Sequence, residues 1–267
     1  MQNHQPDQTT GSGIFGGPSP IVFPPGKNRV LSRRGYLPTL CPAPATSGSS
    51  PLKAEFADNN QLEAISLECL RGFHTLFSEL SFTLVSGEAL QIAGANGSGK
   101  TSLLRILCGL SLMERGGVYW NGQDIRSDAM NYRTDLSYLG HRPGLKGELT
   151  PRENLRALTT IRGKRPDEPE ISRLLESMGI RRHHERPCRT LSAGQQQRTA
   201  IARVILSDAP LWILDEPATA LDDAGVTRLA EAMADHLGVN GMILFTSHMP
   251  IGDSSGIRQL TLTGGHE

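Results

Sequence analysis

Apolar and polar positions change rhythm near residue 61. Beyond it, short apolar runs alternate with longer amphipathic stretches. Leu80, Phe82 and Leu84 alternate with Ser81, Thr83 and Val85, an imperfect period of two that predicts a strand. Ala89-Leu90-Gln91-Ile92-Ala93 reads as a short buried strand, and the run from Ser102 to Cys108 as a helix stopped by Gly109. Val118-Tyr119-Trp120 followed by Asn121-Gly122 predicts a hairpin. A strand is expected over Leu136–Leu139. Thr150-Pro151-Arg152-Glu153 then holds both halves of a capping box, with proline at the first helical position. Ile171 to Met178 is helical and ends at Gly179. A helix over 193–207, a strand over Leu211–Leu214, a helix over 223–237 and a strand over Met242–Thr246 follow, with one or two strands after His248. This order predicts an α/β fold: a largely parallel sheet with helices on its faces and an antiparallel piece ahead of it. No internal repeat is visible.

Residues 1–60 lack any such rhythm. They hold 9 of the 17 prolines and only scattered bulky apolar residues. Such a segment buries too little surface to offset its chain entropy, so it is expected to be a disordered Pro/Gly-rich tail. A transit peptide is the rival reading, because Arg29, Arg33 and Arg34 precede few acids, but the prolines spoil an amphipathic helix. A true start near Leu62 is a third. Lys+Arg and Asp+Glu are each 27, so the formal charge is zero, which argues against nucleic acid as a partner. Cys41, Cys69, Cys108 and Cys188 are widely spaced without a C-x-x-C pair, and reduced thiols fit better than a disulfide framework or a zinc site. No apolar run approaches the ~20 residues of a membrane span, and a signal-peptide layout is not seen.

Chemistry enters at Gly94-Ala95-Asn96-Gly97-Ser98-Gly99-Lys100-Thr101, which matches G-x-x-x-x-G-K-[ST] between a strand and a helix. The glycines let successive N–H groups turn into one concavity, and the helix adds the positive end of its dipole. Lys100 can reach the β- and γ-phosphates of a nucleotide, and the Thr101 hydroxyl suits Mg²⁺. Farther along, the apolar strand ends in Asp215-Glu216. Ligands of open parallel sheets sit at the carboxyl ends of strands, so Asp215 is expected beside the loop, helping to hold Mg²⁺. Glu216 would then face the space from which water attacks the γ-phosphate, as general base or water-positioner.

Leu191-Ser192-Ala193-Gly194-Gln195 opens a helix just upstream of that strand. Asp215-Glu216 is followed by Pro217-Ala218-Thr219-Ala220-Leu221-Asp222, and the next strand ends in Thr246-Ser247-His248. This set in this order resembles the ATPase domain of the ATP-binding cassette family over about residues 61–264. The resemblance implies a P-loop ATPase core with a parallel sheet, an antiparallel β subdomain and a helical subdomain at about 150–207. It implies that Ser192, Gly194 and Gln195 act on ATP held by a second copy of the chain. It also makes His248 a switch histidine on the γ-phosphate and places Asp222 on the dimer seam. Two positions depart from the family pattern. His141 stands where a glutamine is usual, and either Arg71 or Phe73 stands where an aromatic ring usually stacks on adenine.

A finer resemblance is to the haem-exporter ATPase subunits of bacterial cytochrome c maturation. Gly140-His141-Arg142-Pro143-Gly144-Leu145-Lys146, residues 116–122, 153–155, 191–198 and 221–229 carry it. It implies ATP and Mg²⁺ as ligands, a second copy and integral membrane subunits as partners, and a peripheral place on the cytoplasmic face of the bacterial inner membrane. The stretch His141 to Asn154 is expected to help receive the membrane subunit, with Leu145 and Leu149 as apolar contacts. The alternatives are an ATPase subunit of another exporter, of drugs or lipids, and a nucleotide-gated binding module with little turnover. Glu216 argues against the last.

Overall fold

The computed structural model describes residues 55–252 and 256–263. The expected tail therefore lies outside the described residues up to position 54. The chain runs β1 (Gln61–Arg71), β2 (His74–Val85), β3 (Ala89–Gly94), α1 (Lys100–Leu107), β4 (Arg115–Trp120), β5 (Gln123–Asp124) and α2 (Ala129–Thr134). It continues β6 (Leu136–Leu139), α3 (Pro151–Ile161), α4 (Glu168–Ser177), α5 (Ala193–Leu206), β7 (Leu211–Asp215), α6 (Asp223–Gly238), β8 (Met242–Thr246) and β9 (Arg258–Leu262). A 3-10 turn at Cys188–Thr190 precedes α5.

Five strands form a parallel sheet in the order β6-β7-β8-β3-β9, and four form an antiparallel sheet in the order β2-β1-β4-β5. Every residue of β7 and β8 is buried. Side chains of a strand alternate between faces, so each of these runs feeds two cores. Leu211, Ile213, Met242 and Leu244 pack with Leu103, Leu104 and Leu107 of α1 and with the antiparallel sheet. Trp212, Leu214, Ile243 and Phe245 pack on the other face with α3, α4, α5 and α6. Because all five strands are parallel, their carboxyl ends share one edge, and the segments after β3, β7 and β8 meet there.

The helix starts follow from side-chain chemistry. Thr150 and Glu153 form the expected capping box of α3, and Ser192 and Gln195 form another on α5. Asp222 caps α6 and Asp167 caps α4, which begins three residues earlier than its apolar period suggests. Asn121-Gly122 closes the β4–β5 hairpin with both residues at positive φ, at +50° and +79°. The strand expected around residues 80–85 is the second half of a longer β2. Its first half, and its partner β1, are interrupted by irregular register between Ala64 and Leu67 and again on either side of Cys69. Helix α2 has only six residues and no apolar period to announce it. Residues 55–60, which the sequence reading assigns to the tail, touch the domain. Phe56 donates its amide to Val239 O at 2.9 Å and meets the His236 ring edge-on, and Asn60 N donates to Ser86 Oγ. Cys69, Cys108 and Cys188 are free and buried; Cys41 lies outside the described residues.

Candidate active site

The loop from Gly94 to Gly99 joins β3 to α1 and bends as its glycines allow. Gly94, Gly97 and Gly99 have φ of +144°, +86° and +98°, a region that side chains rarely enter. Gly99 is the N-cap of α1, and no side chain caps the helix there. The first N–H groups of α1 are therefore left for a ligand, with the positive end of the helix dipole behind them. The Lys100 ammonium lies back over the loop, donating to Gly94 O at 2.8 Å and Ala95 O at 3.1 Å. Ser98 Oγ is buried without a hydrogen-bond partner. Orphaned donors of this kind, turned into one concavity, fit an anion.

The carboxylates arrive from β7. Asp215 is 2% exposed, and its two oxygens are each engaged. Oδ2 accepts from Thr101 Oγ1 at 2.9 Å and Oδ1 from Thr246 Oγ1 at 2.9 Å. Thr246 also accepts from the Glu216 amide at 2.9 Å, so the last residue of β8 fixes both acids. The Thr101 hydroxyl beside an Asp215 oxygen is a pair of hard oxygen donors, the chemistry that Mg²⁺ prefers. Glu216 adopts φ +53°, an uncommon conformation for a residue with a side chain. Its Oε2 accepts from the His248 amide at 3.2 Å. Its Oε1 lies 3.3 Å from His248 Nε2, out of line for a hydrogen bond, and is buried without one. Tyr138, on β6, has its phenol pushed up to about 12, by burial first and by the field of Asp215 second.

These groups surround one cavity of about 260 Å³. Asn96, Gly97, Gly99, Lys100 and Thr101 line it on one side, Asp215, Glu216 and His248 on another. Arg71 and Leu76 complete the wall, whereas Phe73 points fully into solvent. Gly94, Ala95 and Ser98 shape the loop from behind.

The remaining candidate residues do not reach this cavity. His141 is exposed in the loop after β6. Ser192 Oγ accepts from Gln195 N at 3.3 Å, and Gln195 Oε1 accepts from Ser192 N at 3.0 Å, so this pair closes its own helix end. The bare Cα of Gly194 faces Ala220 O, which a Cβ would meet at 2.6 Å. That contact brings α5 against the segment after Glu216, and Gln197 Nε2 ties it there by donating to Pro217 O. Asp222 accepts from Gly225 N at 2.9 Å and pairs with Arg198 at 3.0 Å. The Gly225 amide first, and Arg198 after it, hold its carboxyl below the usual carboxylate value. Thr246 and Tyr138 were missed from sequence. Both are ordinary strand residues, and only the strand order, which sets β6 and β8 on either side of β7, brings them to Asp215.

The fold and the loop together define a P-loop nucleotide-binding ATPase domain. Residues 77–219 match the family described as ABC transporter. The cytochrome c biogenesis ATP-binding export protein CcmA of Methylococcus capsulatus is 49% identical over 200 residues, 75% of this chain and 97% of that protein. The protein of the same name from Nitrosomonas europaea is 45% identical over 206 residues, 77% of this chain and 93% of the other. The solved ATP binding subunit of an ABC transporter superposes with a TM-score of 0.69 at 26% identity, covering 76% of this chain and 85% of that one. The chain belongs to the ABC transporter family, as one of its ATP-hydrolysing proteins.

Proposed function

We propose that this chain is the ATP-hydrolysing subunit of a membrane complex for cytochrome c biogenesis, where its work is haem export or release of a haem-loaded carrier. The observation that carries this reading is the convergence of Lys100, Thr101, Asp215 and Glu216 on one cavity in a chain 49% identical to a cytochrome c biogenesis export ATPase. The family likeness supports the pathway, cytochrome c biogenesis; the cavity supports the reaction, ATP hydrolysis.

In this reading, Lys100 exchanges its loop carbonyls for β- and γ-phosphate oxygens, which gives charge-assisted contacts in place of neutral ones. The uncapped end of α1 and the loop amides take the remaining phosphate charge. Arg71 takes the adenine side, because it lines the cavity and Phe73 does not; a guanidinium plane stacks on a base as an aromatic ring does. Thr101 and Asp215 would hold Mg²⁺, which when bound would neutralise phosphate charge. Glu216, with Oε1 beside the His248 imidazole but without a hydrogen bond, orients the attacking water and accepts its proton. His248, on the far wall, holds Glu216 by its amide and faces the γ-phosphate.

The site is completed by a second copy. Ser192, Gly194 and Gln195 lie outside their own cavity, and their helix end reaches nucleotide held by the partner, with Asp222 on the seam. Integral membrane subunits complete the complex, and the chain sits peripherally on the cytoplasmic face of the inner membrane. Among the described residues no helix is long and apolar enough to cross a membrane. Leu145 packs partly against the helical core, so it supplies less docking surface than its sequence position suggests.

The test is complementation in bacteria lacking their own copy of this subunit. The wild-type chain restores covalent haem in c-type cytochromes, and Glu216→Gln, accumulating to the same level, does not. Restoration by the Gln variant would overturn the reading.

A further inference from the structure

One buried amide fastens the loop after β6 to the segment that carries Ser192. Asn154, in the first turn of α3, is 6% exposed. Its Oδ1 accepts from Lys146 N at 2.9 Å. Its Nδ2 lies 3.1 Å from Lys146 O, 3.3 Å from Leu149 O and 3.0 Å from Thr150 O, and 3.3 Å from the thiol sulfur of Cys188. Beside it run two backbone bonds, Cys188 N to Leu149 O and Arg189 N to Gly147 O, both 2.9 Å. Farther along α5, Arg203 donates to Gly144 O. Gly144 has φ +63°, and a Cβ there would meet the guanidinium at 3.1 Å, so a side chain would disturb this contact.

The loop begins at Gly140, one residue beyond the paired Leu139 and Leu214, and so beside Asp215. The other segment runs from Cys188 directly through Leu191 into the Ser192 cap. The cap of α3 itself is already provided by Thr150 and Glu153. Asn154 thus braces its own loop and helix start, at Lys146, Leu149 and Thr150, and through Cys188 Sγ adds a contact to a segment 34 residues away.

We propose that Asn154 is a positioning residue for hydrolysis: it makes the loop after β6 and the Ser192 helix end one body, so that displacement of either carries the other. The proposal rests on the two-copy reading above. Asn154 touches no nucleotide; it sets where Ser192 stands when the partner's nucleotide arrives.

The structure offers a covalent replacement for this joint. A Cβ at Gly147 would lie 3.4 Å from Arg189 Cβ, close to the ~3.5–4.5 Å spacing that a disulfide requires. Gly147 has no positive φ to forbid a side chain. The experiment uses the full chain with Asn154→Leu, with Asn154→Asp as the second variant, each alone and with Gly147→Cys plus Arg189→Cys. The 147–189 pairing is verified by peptide mapping. Fluorescent ADP binding, melting temperature, KM and kcat for ATP are measured in oxidised and reduced protein.

Asn154→Leu is expected to bind ADP within about twofold of wild type while kcat falls at least tenfold with KM little changed. Oxidation of the cysteine pair restores at least half of the lost kcat, and reduction removes it again. With Asn154 intact, the oxidised pair leaves kcat at the wild-type level. Wild-type kcat in both Asn154 variants overturns the proposal, as does ADP affinity falling in step with melting temperature. Loss of kcat on oxidising the pair with Asn154 intact also overturns it, because the joint would then have to open during the cycle; this arm stands even where an Asn154 variant fails to fold. A Ser192→Arg control separates the two ideas. If it hydrolyses ATP normally, the two-copy reading falls and the proposal with it; if it is inactive while Asn154→Leu is normal, the joint alone is refuted.

Discussion

Two helix N-termini in this chain are built in opposite ways. The end of α1 has no side-chain cap, glycines at positive φ, a buried serine hydroxyl without a partner and a lysine resting on loop carbonyls. The end of α5 has a complete capping box, and the segment leading to it is bonded to its neighbours along its length. The first end keeps its hydrogen-bonding capacity open for a ligand. The second spends that capacity on its own stability. Binding and positioning are therefore separated: substitutions around α1 should cost chemistry before stability, and substitutions around α5 should cost stability as well.

The largest expected effect is that of Glu216→Gln. The amide preserves shape but cannot take a proton, so kcat should fall by about 10²–10⁴-fold while ATP still binds. A variant that keeps its nucleotide bound should also persist as a dimer on sizing chromatography with ATP and Mg²⁺. Lys100→Ala comes next, with kcat/KM down about 10²–10³-fold as a charged donor to the phosphates is lost. Its melting temperature should stay within a few degrees, since the ammonium bonds only loop carbonyls in the structure. A large fall in melting temperature would erase the contrast between the two helix ends.

The helical side has its own titration. His236 is fully buried between the stacked Trp212 ring, at 3.8 Å, and the edge of Phe56. Burial pushes its imidazole down to about 4, below the ordinary 6.5. The unfolded chain therefore binds more protons between these values, and stability falls as pH drops from about 6.5 toward 4 and is flat above that window. Fully expressed, the loss is roughly 3 kcal/mol at the acid end. Denaturant melts across this range measure it, and His236→Phe, which keeps the stacking and removes the titration, should flatten the profile.

The smallest effect is at Ser192. Removing its cap with Ser192→Ala should cost about 1 kcal/mol, a fall of a few degrees in melting temperature. Turnover lost beyond what that fall explains reports the partner's nucleotide.

Much of this was legible in the sequence, for physical reasons that differ by region. The phosphate loop and the Asp215-Glu216 strand end could be read because their chemistry demands fixed residue types at fixed spacings. The capping box at Thr150 could be read for the same reason. Strands β1 and β2 were only half legible, because irregular register and positive φ at Ser66 and Glu79 interrupt their alternation. The twist of Glu216 into the left-handed region has no sequence signature, since nothing in a glutamate announces it. Thr246 was invisible as a site residue because threonine at a strand end is commonplace, and its bonds to Asp215 and Glu216 exist only once β8 lies beside β7. The packing of Phe56 escaped because a lone aromatic in a proline-rich segment carries no period.

In the proposed dimer two copies complete each hydrolytic site, one supplying Lys100 and Glu216 and the other Ser192. The ATP hydrolysis rate per chain, followed as a function of protein concentration for wild type and Ser192→Arg, decides this arrangement. The rate per chain should rise with concentration to a plateau in wild type and stay near background in the variant. A rate per chain that is constant down to the lowest concentration, and equal in Ser192→Arg, would contradict it.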